Sequence, residues 1–78
     1  MQTEEERTAQ DIIALGHSLS VIAEIVAFDL LKEQELNRLS RNVRHLEIML
    51  EQENILSSGI ELTPFQDAII RGRAILDG

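Results

Sequence analysis

The sequence predicts an all-α fold, an antiparallel helical hairpin with a short third helix packed against it to form a small helical bundle. Two observations favour it: apolar residues recur at the three- and four-residue spacing of a helix face, and no stretch shows the alternation of a strand. A chain of 78 residues has room for one core, so we predict a single helical domain over residues 1–78. Pairing of two chains would complete such a small bundle.

The first helix is predicted over residues 4–28. Thr3 and Glu6 have the spacing of a capping box, and Glu4 to Glu6 place negative charge in the first turn, where it suits the helix dipole. We expect the helix to continue through Gly16. We assign its inner face to a series of small and aliphatic residues: Ala9, Ile12, Ile13, Gly16, Leu19, Ala23, Val26 and Leu30.

The second helix is predicted over residues 32–54, with a loop at residues 57–59. Its apolar seam has spacings of three, four, three and four residues, and the spacing predicts that Leu39, Val43 and Leu46 are buried against the first helix. The full seam consists of Leu36, Leu39, Val43, Leu46 and Leu50.

The third helix is predicted over residues 64–77. Thr63 has the position of a cap, Pro64 that of the first helical residue, and Gln66 that of the partner in a capping box. Gly72 in the middle of this helix predicts close contact with another backbone.

The first helix carries a second apolar stripe on the side opposite its predicted inner face. Ala14, Val21, Ile25 and Phe28 share it. Either the third helix covers this stripe or a second subunit does. We predict that Val21, Ile25 and Phe28 contribute to a homodimer, since exposed stripes of this kind usually mark an interface.

The outward side of the second helix is basic in an otherwise acidic protein. Either it is a solvated face, partly neutralised by the pairs Glu35–Arg38 and Arg44–Glu47, or it is a docking patch whose arginines meet carboxylates or phosphates. The candidate docking residues are Arg38, Arg41, Arg44, His45 and Ile48.

Composition and charge exclude several classes of protein. The chain has no cysteine, which excludes a disulfide framework and a cysteine-based zinc site. Its net charge of −7 makes direct nucleic-acid binding unfavourable. The acidic N-terminus is unlike a secretory signal, and the nearly apolar run at residues 19–31 is shorter than the about 20 residues of a spanning helix. We therefore expect a cytoplasmic protein without a membrane segment.

No pattern in the sequence predicts a catalytic, cofactor-binding or metal-binding residue. His17 lies beside Ser18, but adjacent residues of a helix point in different directions. Neither Glu47 nor Glu51 has the three- or four-residue spacing from His45 that would let both bind one metal ion on a helix. We therefore expect a protein that is not an enzyme and has no cofactor.

These observations predict a small acidic interaction module, an adaptor, assembly or accessory factor that acts by binding another protein. Short, acidic, cysteine-free helical chains are frequent among accessory proteins of phages and mobile elements. The alternative is an acidic inhibitor that mimics nucleic acid, such as an anti-defence protein of those elements. The net charge permits this alternative. The acidic residues, however, cluster at 4–6, 33–35 and 47–53 with arginines between them, rather than forming a continuous negative surface.

Overall fold

Four helices make up the part of the chain that the computed structural model describes, residues 3–78. They are α1 (Glu4–Phe28), α2 (Glu33–Met49), α3 (Glu53–Leu56) and α4 (Thr63–Asp77). These residues contain no strand, so the all-α prediction is confirmed. α1 and α2 pack against each other as an antiparallel hairpin, and α4 packs against both.

The start of α1 agrees with the predicted cap. The Glu6 backbone N–H donates to Thr3 Oγ1 at 3.1 Å, and three glutamates occupy the first turn. The helix continues through Gly16 as predicted. It ends where Asp29 adopts a left-handed conformation with φ of 54°, and the next N–H, that of Leu30, donates to the Ile25 carbonyl at 3.1 Å.

The prediction of one helix over residues 32–54 is wrong at its C-terminal end. α2 ends at Met49, and a separate single turn, α3, follows after a kink in which the Gln52 N–H donates to the Met49 carbonyl at 3.1 Å. Packing explains the break, because Ile55 of α3 is fully buried. Asn54 Nδ2 also donates to Asp11 Oδ2 of α1 at 3.0 Å. A straight continuation of α2 would lose both contacts.

α4 begins one residue earlier than predicted, and Thr63 does not cap it. The N-cap position belongs to Leu62, while the Thr63 hydroxyl and N–H donate to the Glu61 carboxylate at 2.6 and 3.1 Å. These hydrogen bonds hold the pKa of Glu61 below its usual value, with the side-chain bond as the larger cause. Pro64 lies in the first turn, but as the second helical residue and not the first.

The core lies between α1, α2 and α4. The predicted burial of Leu39, Val43 and Leu46 is confirmed. Every buried hydrophobic side chain belongs to one cluster within the described residues: Leu15, Val21, Ile22, Ile25, Leu39, Val43, Leu46, Met49, Ile55 and Ala68.

The predicted inner face of α1 is wrong by roughly a third of a turn. Its buried centre is formed by Leu15, Ser18 and Ile22, between the two stripes that the sequence analysis separated, whereas Ile13 is 72% exposed. The reason is that α1 packs against two helices. Ser18 hydrogen-bonds α2, while Leu19, Ile22 and Val26 line a groove with residues of α4.

Gly72 lies where α4 packs tightly on α2. A Cβ atom at Gly72 would lie 2.5 Å from Val43 Cγ2 and 3.4 Å from Leu39 Cδ1. The predicted close contact is therefore present, but it is made with a side chain of α2 and not with its backbone. The glycine lets the seam of α2 sit directly on α4.

α1 is long and apolar enough to cross a membrane by length and composition alone, with a mean hydropathy of 1.7 over a window of 18 residues. The prediction that no segment is long enough is therefore wrong by this criterion. The core helix of a soluble protein passes the same test; 28% of this window is buried, and α1 contributes four side chains to the core cluster.

Candidate functional site

The predicted self-association stripe does not lie on an outer surface of the chain. Val21 is 7% exposed and Ile25 is 1% exposed within a single chain, so placing them on an interface was wrong. Both belong to the core cluster that α1 shares with α2 and α4. Phe28 is 71% exposed and is the one residue of the predicted stripe that remains available to a partner.

The basic surface predicted on α2 is exposed and unneutralised. We use the term arginine face for Arg38, Arg41, Arg44 and Ile48. All four are exposed, Ile48 to 53%. The three arginines take part in neither of the ion pairs formed within residues 3–78.

The two ion pairs predicted to neutralise the arginine face do not form. Glu47 instead pairs with Arg73 of α4, with 2.6 Å between its Oε1 and the Arg73 Nη2. This hydrogen bond, together with the charge of Glu47, raises the pKa of Arg73 above its usual range. Glu35 Oε1 accepts from the side-chain amide of Gln34 at 3.3 Å. No ion pair within residues 3–78 therefore neutralises the three arginines.

The positive charge of α2 is concentrated in one stretch of its sequence. Residues 36–46 contain three arginines and no acidic residue, in a chain that has fourteen acidic residues. Opposite charges interact strongly only within about a Debye length, roughly 8 Å at physiological salt. Glu35 and Glu47 lie one helix turn before Arg38 and after Arg44, within this distance, so positive charge predominates at the centre of the arginine face, around Arg41.

His45 does not belong to the arginine face, and its assignment to the docking surface is wrong. It lies on the side of α2 that faces α1, where its Nδ1 is 2.7 Å from Ser18 Oγ. Ser18 is 2% exposed, so a buried hydroxyl finds its partner across the helix pair. The bond fixes the position of α2 along α1.

The Ser18–His45 pair has the composition of a nucleophile and a base, but its surroundings favour a structural role. The hydroxyl lies inside the closed packing of α1 and α2, where a substrate cannot reach it. No carboxylate orients the imidazole in the hydrogen bonds of the described residues. A search of residues 3–78 for three or more metal-ligating side chains in one cluster finds none.

A groove between α2 and α4 runs beside the arginine face. Its volume is about 410 Å³, and Arg44 and Ile48 form part of one wall. Leu76 of α4 lines the groove together with the Arg73–Glu47 ion pair. Glu51, which is exposed, lines it beyond Ile48. The groove thus joins an apolar surface to the positive charge of the arginine face.

Comparison of the chain with known protein families, with characterised proteins and with solved structures finds no match. The candidate site is therefore interpreted from its own chemistry.

Sequence reasoning found the arginines but missed the two contacts that define the surroundings of the site. Ser18 and His45 are 27 residues apart, and Glu47 and Arg73 are 26 residues apart. No local spacing indicates such pairs, because they depend on how the helices are rotated against one another.

Proposed function

We propose that this protein is a small interaction module that acts by binding another protein and performs no catalysis of its own. The observation that carries the proposal is the arginine face, an exposed set of three unpaired arginines beside an exposed isoleucine. Arginine is enriched on surfaces that bind other proteins, and the exposed isoleucine adds apolar area beside the three arginines. We further propose that it acts in the cytoplasm.

The arginine face also favours this function over mimicry of nucleic acid. A mimic needs a continuous negative surface, and Arg38, Arg41 and Arg44 interrupt any acidic surface along α2. An adaptor or assembly factor needs no such continuity.

The homodimer stays a prediction, but fewer exposed residues now support it. Burial of Val21 and Ile25 leaves Phe28 as its one exposed residue from the original set. Leu31, 49% exposed in the turn that follows α1, adds apolar surface close by in the chain.

Site-specific photocrosslinking in the cells that make the protein tests the proposed function. A benzophenone side chain replaces Ile48 on the arginine face or Ile70 on the outward side of α4, two exposed isoleucines that serve as a matched pair. We expect a discrete protein adduct from position 48 and none from position 70. An adduct with twice the 8.8 kDa mass of the chain would identify the partner as a second copy. The absence of a protein adduct from position 48, or identical adducts from both positions, would overturn the proposal.

A further inference from the structure

We infer that the arginine face binds an acidic segment of another protein, one that also carries an aliphatic or aromatic side chain about 10 Å from its carboxylates. This inference rests on the proposed function and adds the chemistry of the partner. Three observations carry it: the arrangement of the arginines, the position of Ile48 relative to them, and the charge at the far end of the groove.

The arginines form an oblique row across the exposed side of α2. Successive members are three residues apart, so each lies about 4.5 Å further along the helix axis and about 60° further around it. Such a row presents guanidinium groups over an arc of about 120°. Guanidinium binds carboxylate in a planar, bidentate geometry, so a segment with two or three carboxylates matches the row.

Ile48 fixes where the apolar part of the partner lies. It is seven residues from Arg41, which places the two side chains within about 20° of the same direction and about 10.5 Å apart along the axis. Ile48 also lines the groove together with Leu76. An apolar side chain of the partner seated there covers Ile48 while the carboxylates reach Arg41. That separation equals seven residues of a helix, which also keeps the two side chains on one side of it.

Glu51 disfavours a partner carboxylate beside Ile48. Glu51 lies on the groove beyond Ile48, at the end away from Arg38. A carboxylate placed there would be repelled, so the carboxylates of the partner belong at the arginines and its apolar side chain beside Ile48, while Glu33 and Glu35 limit the row on the other side of Arg38. Neutralising Glu51 should therefore strengthen binding, which is the opposite of the effect of losing an arginine.

The distribution of charge favours a protein as the partner over a nucleic acid. A nucleic acid carries phosphates at regular intervals beyond the arginine face and would meet the surrounding acidic residues of a chain with net charge −7. A short acidic segment confines its carboxylates to the three arginines.

Selection from a library of random peptides about a dozen residues long tests the inference. The full chain is immobilised, and the affinities of the selected peptides are measured by fluorescence anisotropy. We expect the selected peptides to be acidic with one apolar side chain at the stated separation. Arg41→Glu should weaken their binding roughly tenfold, Glu51→Gln should strengthen it, and added salt should weaken it.

Arg71→Glu is the matched control, because it changes the net charge by the same amount at an exposed arginine of α4 outside the arginine face. Circular dichroism of each variant verifies that the fold is retained. The inference is overturned if no peptide is selected, if the selected peptides are not acidic, or if Arg41→Glu and Arg71→Glu have equal effects. Binding of a labelled oligonucleotide that Arg41→Glu abolishes, without binding of acidic peptides, would also overturn it. A protein adduct at position 48 combined with any of these results would leave the proposed function standing and remove only the acidic partner.

Discussion

Replacing Gly72 with alanine is the most direct test of how α4 packs on α2. The added Cβ would lie 2.5 Å from Val43 Cγ2, whereas nonbonded carbon atoms prefer roughly 3.5–4.0 Å. Val43 is fully buried and branched at Cβ, so it has little freedom to move away. One of the two helices must shift by about an ångström to accommodate the methyl group.

The expected cost combines two opposing effects. Overpacking of a well-packed core costs typically about 1–3 kcal/mol, while alanine gains up to about 1 kcal/mol over glycine inside a helix. We expect Gly72→Ala to lower the free energy of unfolding by about 1–2 kcal/mol. For a domain of this size that corresponds to a fall in the melting temperature of roughly 5–15 °C, measured by circular dichroism.

Gly16→Ala is the control within the same chain. No atom outside its own helix turn lies within 4 Å of a Cβ at Gly16, so alanine gains helix propensity there without a clash. We expect a stabilisation of about 0.5–1 kcal/mol. The double variant Gly72→Ala with Val43→Ala should lose less free energy of unfolding than the two single variants lose together. The shorter side chain at position 43 removes the clash, and the new methyl group at position 72 fills part of the space that it leaves. If Gly72→Ala stabilises the protein as much as Gly16→Ala does, the packing of α4 on α2 described above is wrong.

Three further predictions concern the core, association and pH. Leu46→Ala should lower the free energy of unfolding by about 2–5 kcal/mol in urea denaturation, because Leu46 is fully buried, and unchanged unfolding would contradict its position in the core. Phe28→Glu should shift a homodimer to monomer in sedimentation experiments with helix content retained, and an unmodified protein that is monomeric at high micromolar concentration would refute the homodimer. Because the folded-state pKa of Glu61 is lowered, its contribution to stability is present above the usual carboxyl pKa and is lost as pH falls through the folded value. Thr63→Val removes the larger cause of this shift, so the pKa of Glu61 in an NMR titration should rise, and an unchanged value would assign the shift to another group.

The sequence predicted α2 better than α1, and the reason lies in how their apolar residues are distributed. α2 has one apolar seam in a polar helix, so its spacing alone indicates that Leu39, Val43 and Leu46 face the core. α1 carries apolar residues on several sides, so spacing cannot decide which of them is buried. Its rotation depends on two neighbouring helices, and only the structure shows that Leu15 lies at the centre and Ile13 outside.

The break after Met49 and the inward position of His45 could not be predicted for related reasons. No glycine or proline lies between Leu50 and Ile55, so local sequence gives no sign of the kink. His45 lies at the edge between the buried and exposed sides of α2, where a small rotation decides its environment. The exposed position of Arg41 was predictable because it lies nearly opposite the leucine seam, and Arg38 and Arg44 lie about 60° to either side of it.

The length of α1 has a consequence for the motions of the protein. The helix is about 37 Å long against about 25 Å for α2, and all its buried residues lie between Leu15 and Ile25. Its first three turns contain no buried residue and are held to α3 by the hydrogen bonds of Asn54 to Thr8 and Asp11. We therefore expect backbone amides in these turns to exchange with solvent through local opening, and those from Leu19 to Ile25 to exchange much more slowly. One continuous helix thus spans two regions of very different local stability.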